Sequence, residues 1–252
     1  MFEQEKSMLV MIAHRLAAQG WVANHDGNAS LRLSRERFLA TPSGVHKSQI
    51  DFRQLVIIDR EGTVHEGEKK IFSEWELHRA IYETRPEAMA VVHAHPPTAT
   101  GFAVAGIALD PTLMAEPVVS LGREIPLIPF FPPRSVAGVQ ALAQAALKAD
   151  VIMLGNHGVI ACGPALETAF LRLELVEHLA KIHFVACTIG TPKMIEETAI
   201  AQLLTAREAA GLSVPTHSSV AEKNHHTTLP AALEEIIVKA VAEALQKAQK
   251  NY

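Results

Sequence analysis

The stretch Met89-Ala90-Val91-Val92-His93-Ala94-His95-Pro96-Pro97 decides how this chain is read. Residues 89–93 form a short apolar run stopped by two prolines, which cannot donate to a continuing ladder, so the run is expected to be a strand. Side chains repeat every second residue along a strand, so His93 and His95 project from the same face at its end. Further on, the apolar segments 151–154 and 159–162 bracket Gly155-Asn156-His157-Gly158, a strand-to-strand junction that presents a third imidazole beside glycine. A His-x-His pair alone reads more simply as packed or solvated. With a third histidine in its own glycine-flanked turn and a nearby carboxylate, the set matches an open zinc site completed by water or a substrate oxygen.

Working outward, residues 3–19 place Leu9, Ile12 and Leu16 at helical spacing and end at Gly20, which suits a left-handed cap. A polar loop, 24–28, leads to strands expected at 29–33 and 38–41, and Thr41-Pro42-Ser43-Gly44 is a turn. Segments 55–59 and 63–65 flank Arg60-Glu61-Gly62 as a hairpin. Ser73-Glu74-Trp75-Glu76 has the spacing of a capping box, which would put Ser73 at the cap of a helix running to Arg85 before Pro86. Another strand is expected over 125–131, an Ala-rich helix over 136–148, and long helices over 165–189 and 194–210. Strands and helices alternate without a linker up to Leu212, which predicts one α/β domain over 1–212. Residues 213–252 differ: a polar linker precedes a helix over 230–249 whose apolar face, with Leu233, Ile236, Ile237, Val241 and Leu245, would dock on the domain or on a neighbouring subunit.

Composition narrows the chemistry. The 252 residues are 48% hydrophobic and 20% charged, with a net charge of −4 and no basic cluster interleaved with aromatics, which argues against a nucleic-acid partner. Thirteen His stand against two Cys and two Tyr, so any site would be built from imidazole and carboxylate. Cys162 and Cys187 are isolated in apolar segments and are expected to be buried, reduced thiols rather than a disulfide or thiolate zinc site. No apolar run reaches membrane-spanning length, and Glu3 and Glu5 stand where a secretory leader would carry Lys or Arg, so a cytoplasmic protein is expected.

Glu74 is the expected carboxylate, as the first helical residue after Ser73, where the positive helix end favours its charge. His78, one turn on, is a rival ligand but is better read as a core or outer-layer histidine. Gly27-Asn28, Ser43-Gly44 and Ser73 offer small polar groups and free amides to an anion without supplying a basic residue.

Gly27-Asn28-Ala29-Ser30, Thr41-Pro42-Ser43-Gly44, Ser73-Glu74-Trp75, His93-Ala94-His95 and Asn156-His157-Gly158, in this order and spacing over residues 9–212, resemble the class II aldolase/adducin family, most closely its fuculose-phosphate aldolase branch. The resemblance implies a three-layer α/β/α sandwich around a mainly antiparallel sheet and a homotetramer with active sites between subunits. It implies one Zn²⁺ per subunit on His93, His95 and His157, with Glu74 as both ligand and acid/base, and a substrate phosphate held by Asn28, Ser43, Gly44 and Ser73. The reaction implied is cleavage or formation of a ketose phosphate through a metal-stabilised enediolate of dihydroxyacetone phosphate. A dehydratase, 4-epimerase or decarboxylase would use the same site; a non-catalytic, adducin-like interaction module would lack the histidine set. Two departures stand out. Phe72 replaces a second serine of the phosphate site, and the branch's two proton-donating tyrosines have no counterpart around 114–116 or 209–211, which leaves Glu116 as a substitute acid/base.

Overall fold

Alternation along the strands sends their side chains to opposite faces of one eight-stranded sheet, and helices cover both faces. The computed structural model describes residues 2–212 and 214; the linker and amphipathic helix expected over 213–252 lie outside the described residues. In chain order the elements are α1 (Glu3–Ala18), β1 (Asn28–Arg32), β2 (Phe38–Ala40), β3 (Val56–Ile58), β4 (Val64–Glu66), α2 (Trp75–Thr84), β5 (Ala90–Ala94), α3 (Pro97–Val104), α4 (Ala115–Leu121), β6 (Leu127–Ile128), α5 (Val136–Ala146), β7 (Val151–Leu154), β8 (Gly158–Gly163), α6 (Leu166–Ile189) and α7 (Glu197–Ala209).

The sheet order is β4-β3-β2-β1-β5-β8-β7-β6. Neighbours pair antiparallel except β6 with β7, which run parallel because the helix α5 crosses over between them. The expected three-layer sandwich with a mainly antiparallel sheet is therefore what forms. Ala90, Val92 and Ala94 of β5 pack with Leu9, Ile12 and Leu16 of α1, Ala99 of α3 and Phe170 and Leu173 of α6. The alternate residue Val91 packs on the other face with Ile81 of α2 and Leu142 of α5. His93 shares the parity of Val91, so the imidazole lies on the α2 side of the sheet, at the end of a central strand.

Three local expectations need correction. The strand expected over 125–131 shrinks to Leu127–Ile128, since Pro126 and Pro129 lack the amide donors a longer ladder needs. The capping box at Ser73 does not form: helical geometry begins at Trp75, Glu74 occupies the cap position, and no side chain caps the helix. Cys162 is buried as expected, whereas Cys187 is exposed because it falls on the outer side of α6.

Buried charge ties the helices to the sheet. Asp150, just before β7, accepts from Arg85 at the end of α2 (2.8 Å), from Arg172 of α6 (2.8 Å) and from Arg207 of α7 (3.1 Å). Glu177 of α6 reaches the amino terminus of α3, accepting from the backbone amide of Ala99 (2.9 Å) and the hydroxyl of Thr98 (2.8 Å). Because α3 follows directly on His95, that carboxylate also fixes where the strand hands over to the helix.

Candidate metal centre and substrate cavity

The three histidines picked out by motif converge. His93 is the penultimate residue of β5 and is fully buried; His95 lies one residue beyond the strand, where its backbone amide donates to the Trp21 carbonyl (2.9 Å). His157 comes from the β7–β8 turn, in which Asn156 takes a left-handed φ of 54°, a conformation asparagine tolerates. One ligand atom from each imidazole lies within 4.8 Å of the other two, and the Nε2 atoms of His93 and His95 are 3.1 Å apart. Gly158 makes this approach possible: a Cβ there would stand 2.6 Å from the Ala94 carbonyl and 2.6 Å from the His95 ring.

The donor set fits a metal ion. His93 donates from Nδ1 to the Val159 carbonyl (2.9 Å), which leaves the Nε2 lone pair facing the other imidazoles. Burial lowers the His93 pKa to about 3, and burial together with the neighbouring His157 imidazole lowers that of His95, so both rings are neutral as ligands must be. Lone pairs converging this closely, with His93 buried and His95 and His157 half-buried, repel one another unless a cation lies between them.

Glu74 adds the carboxylate. Its Oε1 is 2.8 Å from His157 Nε2, and its Oε2 is 3.6 Å from His93 Nε2 and accepts from Asn28 Nδ2 at 2.7 Å. Burial works to raise this carboxyl, but the neighbouring His93 and His157 imidazoles and the Asn28 amide outweigh it and hold it well below the usual carboxylate range. Glu74 is thus ionised beside the triad at neutral pH.

Beside Glu74 and His157 opens a cavity of about 170 Å³, lined also by Ser73, Phe130, Phe131 and Arg134. A larger cleft of about 660 Å³, which holds Glu116 with Gln19, Glu174 and Lys181, contains none of the clustered imidazoles. Chemistry therefore selects the smaller space. Within one chain the structure does not bring Glu116 to the triad: it sits in the first turn of α4 and accepts from Ser120 Oγ (2.7 Å).

The anion-binding expectations divide. Ser43, Gly44 and Ser73 are exposed, and their segments lie side by side through a bridge between Pro42 and Ile71 and a bond from the Ser43 amide to the Lys70 carbonyl (2.8 Å). Asn28 is instead buried, tied to Glu74 through Nδ2 and to His78 through Oδ1 (2.6 Å). His78 is not a ligand; it is fully buried behind Asn28, and burial lowers its pKa to about 3. Phe72 packs on its ring, with centroids 4.8 Å apart.

Lys47 carries no sequence signal of a role here, yet it is 1% exposed, and its ammonium donates to the carbonyls of His25 (3.0 Å) and Val45 (3.2 Å). It therefore clamps the loop before Asn28 to the loop bearing Ser43 and Gly44. Burial lowers its pKa to about 8, with Asp26 and Glu74 opposing the fall.

Residues 7–184 match the Class II Aldolase and Adducin N-terminal domain. The chain belongs to this family. Among its relatives is the 3-oxo-tetronate 4-phosphate decarboxylase of Haemophilus influenzae, 31% identical over 71% of this chain and 87% of that one. Another is the L-fuculose phosphate aldolase of Escherichia coli, 32% identical over 75% of this chain and 86% of the aldolase. A solved structure of an L-fuculose 1-phosphate aldolase superposes with a TM-score of 0.73 at 26% identity, over 82% of this chain and 97% of that one. Family membership and the imidazole cluster together support an enzyme of the class II aldolase superfamily.

Proposed function

We propose that this protein is a zinc-dependent class II aldolase that cleaves or forms a ketose phosphate, with dihydroxyacetone phosphate as the three-carbon partner. The observation that carries the reading is Glu74, an ionised carboxylate 2.8 Å from His157 at the mouth of a cavity rimmed by Ser73. One Zn²⁺ per chain on His93, His95 and His157 would supply Lewis-acid charge against the negative charge that develops as the carbon–carbon bond breaks. Glu74 would take the carbon-bound proton of the three-carbon partner in the synthesis direction and return it in cleavage. Asn28 steers that carboxylate, and its second Nδ2 hydrogen is all it has left to offer a phosphate. Ser43, Gly44 and Ser73, with the uncapped first turn of α2, would hold the phosphate.

The reading extends to a cytoplasmic homotetramer, supported by the exposure of Phe184, Val185 and Ile189 toward the end of α6, where a neighbouring copy would cover them. The Haemophilus relative supports a second reading, decarboxylation of a phosphorylated 3-oxo acid. The test is a zinc-loaded assay of dihydroxyacetone phosphate release from a panel of ketose 1-phosphates, run beside carbon dioxide release from 3-oxo-tetronate 4-phosphate. We expect His93→Ala to abolish turnover and Glu74→Gln to lower kcat about 10²- to 10⁴-fold with zinc still bound. No triose phosphate from any member of the panel overturns the aldolase reading, and carbon dioxide release in its place installs the decarboxylase.

A further inference from the structure

The four side chains behind Glu74 form one continuous chain of hydrogen bonds whose direction is fixed throughout. Asn28 donates from Nδ2 to Glu74 Oε2 (2.7 Å). Asn28 Oδ1 then faces His78 Nε2 (2.6 Å) and, being a carbonyl oxygen, requires a proton on that nitrogen. His78 in its neutral form has a bare Nδ1, which accepts the hydroxyl hydrogen of Ser30 (2.7 Å). That hydroxyl has no second hydrogen, so its contact with Tyr82 (2.8 Å) runs from the phenol to Ser30. Asn28, Ser30, His78 and Tyr82 are all buried, on β1 and on α2, and Phe72 closes over the His78 ring.

We propose that Ser30, His78 and Tyr82 are positioning residues: with Asn28 they form a one-way chain of donors that locks the Asn28 amide with its N–H toward Glu74 and so holds that carboxylate against the triad. The amide of asparagine is nearly symmetric in shape, and the His78 donor holds its Oδ1 away from the carboxylate; without that donor only Glu74 is left to orient the amide. The single tyrosine among the described residues thus ends a positioning chain on the far side of Glu74 from the imidazoles. The inference rests on the proposed role of His93, His95, His157 and Glu74, and it assigns the residues behind them.

The test uses the full chain with three substitutions. His78→Gln keeps a donor for Asn28 and an acceptor for Ser30, His78→Leu keeps bulk with neither, and Tyr82→Phe removes only the outermost donor. Zinc affinity by chelator competition is measured on each, together with kcat and KM on whichever substrate the native protein turns over. We expect His78→Leu to weaken zinc binding about 10- to 100-fold and to lower kcat in the same range, as outer-layer partners of metal sites do, with KM within about twofold. His78→Gln should recover to within about fivefold of native on both counts, with Tyr82→Phe between native and His78→Leu. In the native protein, nitrogen NMR should find His78 as the Nε2–H tautomer. If His78→Leu does not fold, Ser30→Ala replaces it, with the same expectation. Native zinc affinity in the leucine protein, a glutamine protein as impaired as the leucine one, or the Nδ1–H tautomer would each overturn the proposal. Zinc affinity and tautomer are read without turnover, so failure of the aldolase reading would show separately, as loss of triose release with the zinc ranking intact.

Discussion

At the residue scale, the site depends on two opposite uses of space. Gly158 leaves room for His95, and Gly158→Ala would force a Cβ to 2.6 Å from both the Ala94 carbonyl and the His95 ring. The neighbour on one side is backbone and cannot yield, so we expect His95 to be displaced, zinc affinity to fall at least about tenfold, and the unfolding midpoint to drop, as chelator competition and thermal melts would register. Burial acts on the histidines themselves. His78 and His93 sit at about 3 in the folded protein against about 6.5 in an unfolded chain, so acid protonates the unfolded chain first. The stability they contribute is complete above pH 6.5 and is lost as pH falls from there toward 3. Metal-free protein should therefore show a lower urea midpoint at pH 5 than at pH 7, and equal midpoints would count against neutral buried rings.

At the element scale, strands β1 and β5 carry Asn28 and His93 while irregular segments carry the rest of the site, and Lys47 is the clamp between two of those segments. Lys47→Met keeps much of the stem and deletes the bonds to the His25 and Val45 carbonyls. We expect a loss of about 1–3 kcal/mol from the carbonyls left without the ammonium, and a KM for the phosphorylated substrate roughly tenfold higher as the loop before Asn28 and the loop bearing Gly44 separate. Denaturant titration and steady-state kinetics measure the two effects. Sequence made the strand-end histidines and the turn at His157 legible because period-two alternation and glycine leave local marks. It made the start of α2 misleading: Ser73 and Glu76 have capping-box spacing, yet the helix begins uncapped at Trp75, with Ser73 on the rim of the cavity.

At the scale of the whole molecule, the carboxylate of Asp150 gathers guanidinium groups from three helices at one end of β7. Its side chain is about 1% exposed, so Asp150→Asn would leave Arg85, Arg172 and Arg207 close together with less to balance them. We expect a destabilisation of about 3–5 kcal/mol, read as a lower denaturant midpoint with an unchanged slope, and little change in zinc affinity, because the cluster lies away from the imidazoles. A loss of zinc binding equal to the loss of stability would mean that the layers and the site are not separable.

What the sequence determined by itself was an α/β chain, the candidate set His93, His95 and His157, and the ordered motifs whose family resemblance implied the three-layer sandwich, because alternation, prolines and glycine-flanked motifs act over a few residues. Only the tertiary structure decided that Asn28 serves Glu74, that Lys47 is buried between two loops, that Ser30, His78 and Tyr82 stand in line behind the carboxylate, and that Glu116 faces a different cleft. Those relations join β1 to α2 across about 50 residues, and loop to loop across about 20, and no local spacing encodes a hydrogen bond between segments that meet only when the sheet closes.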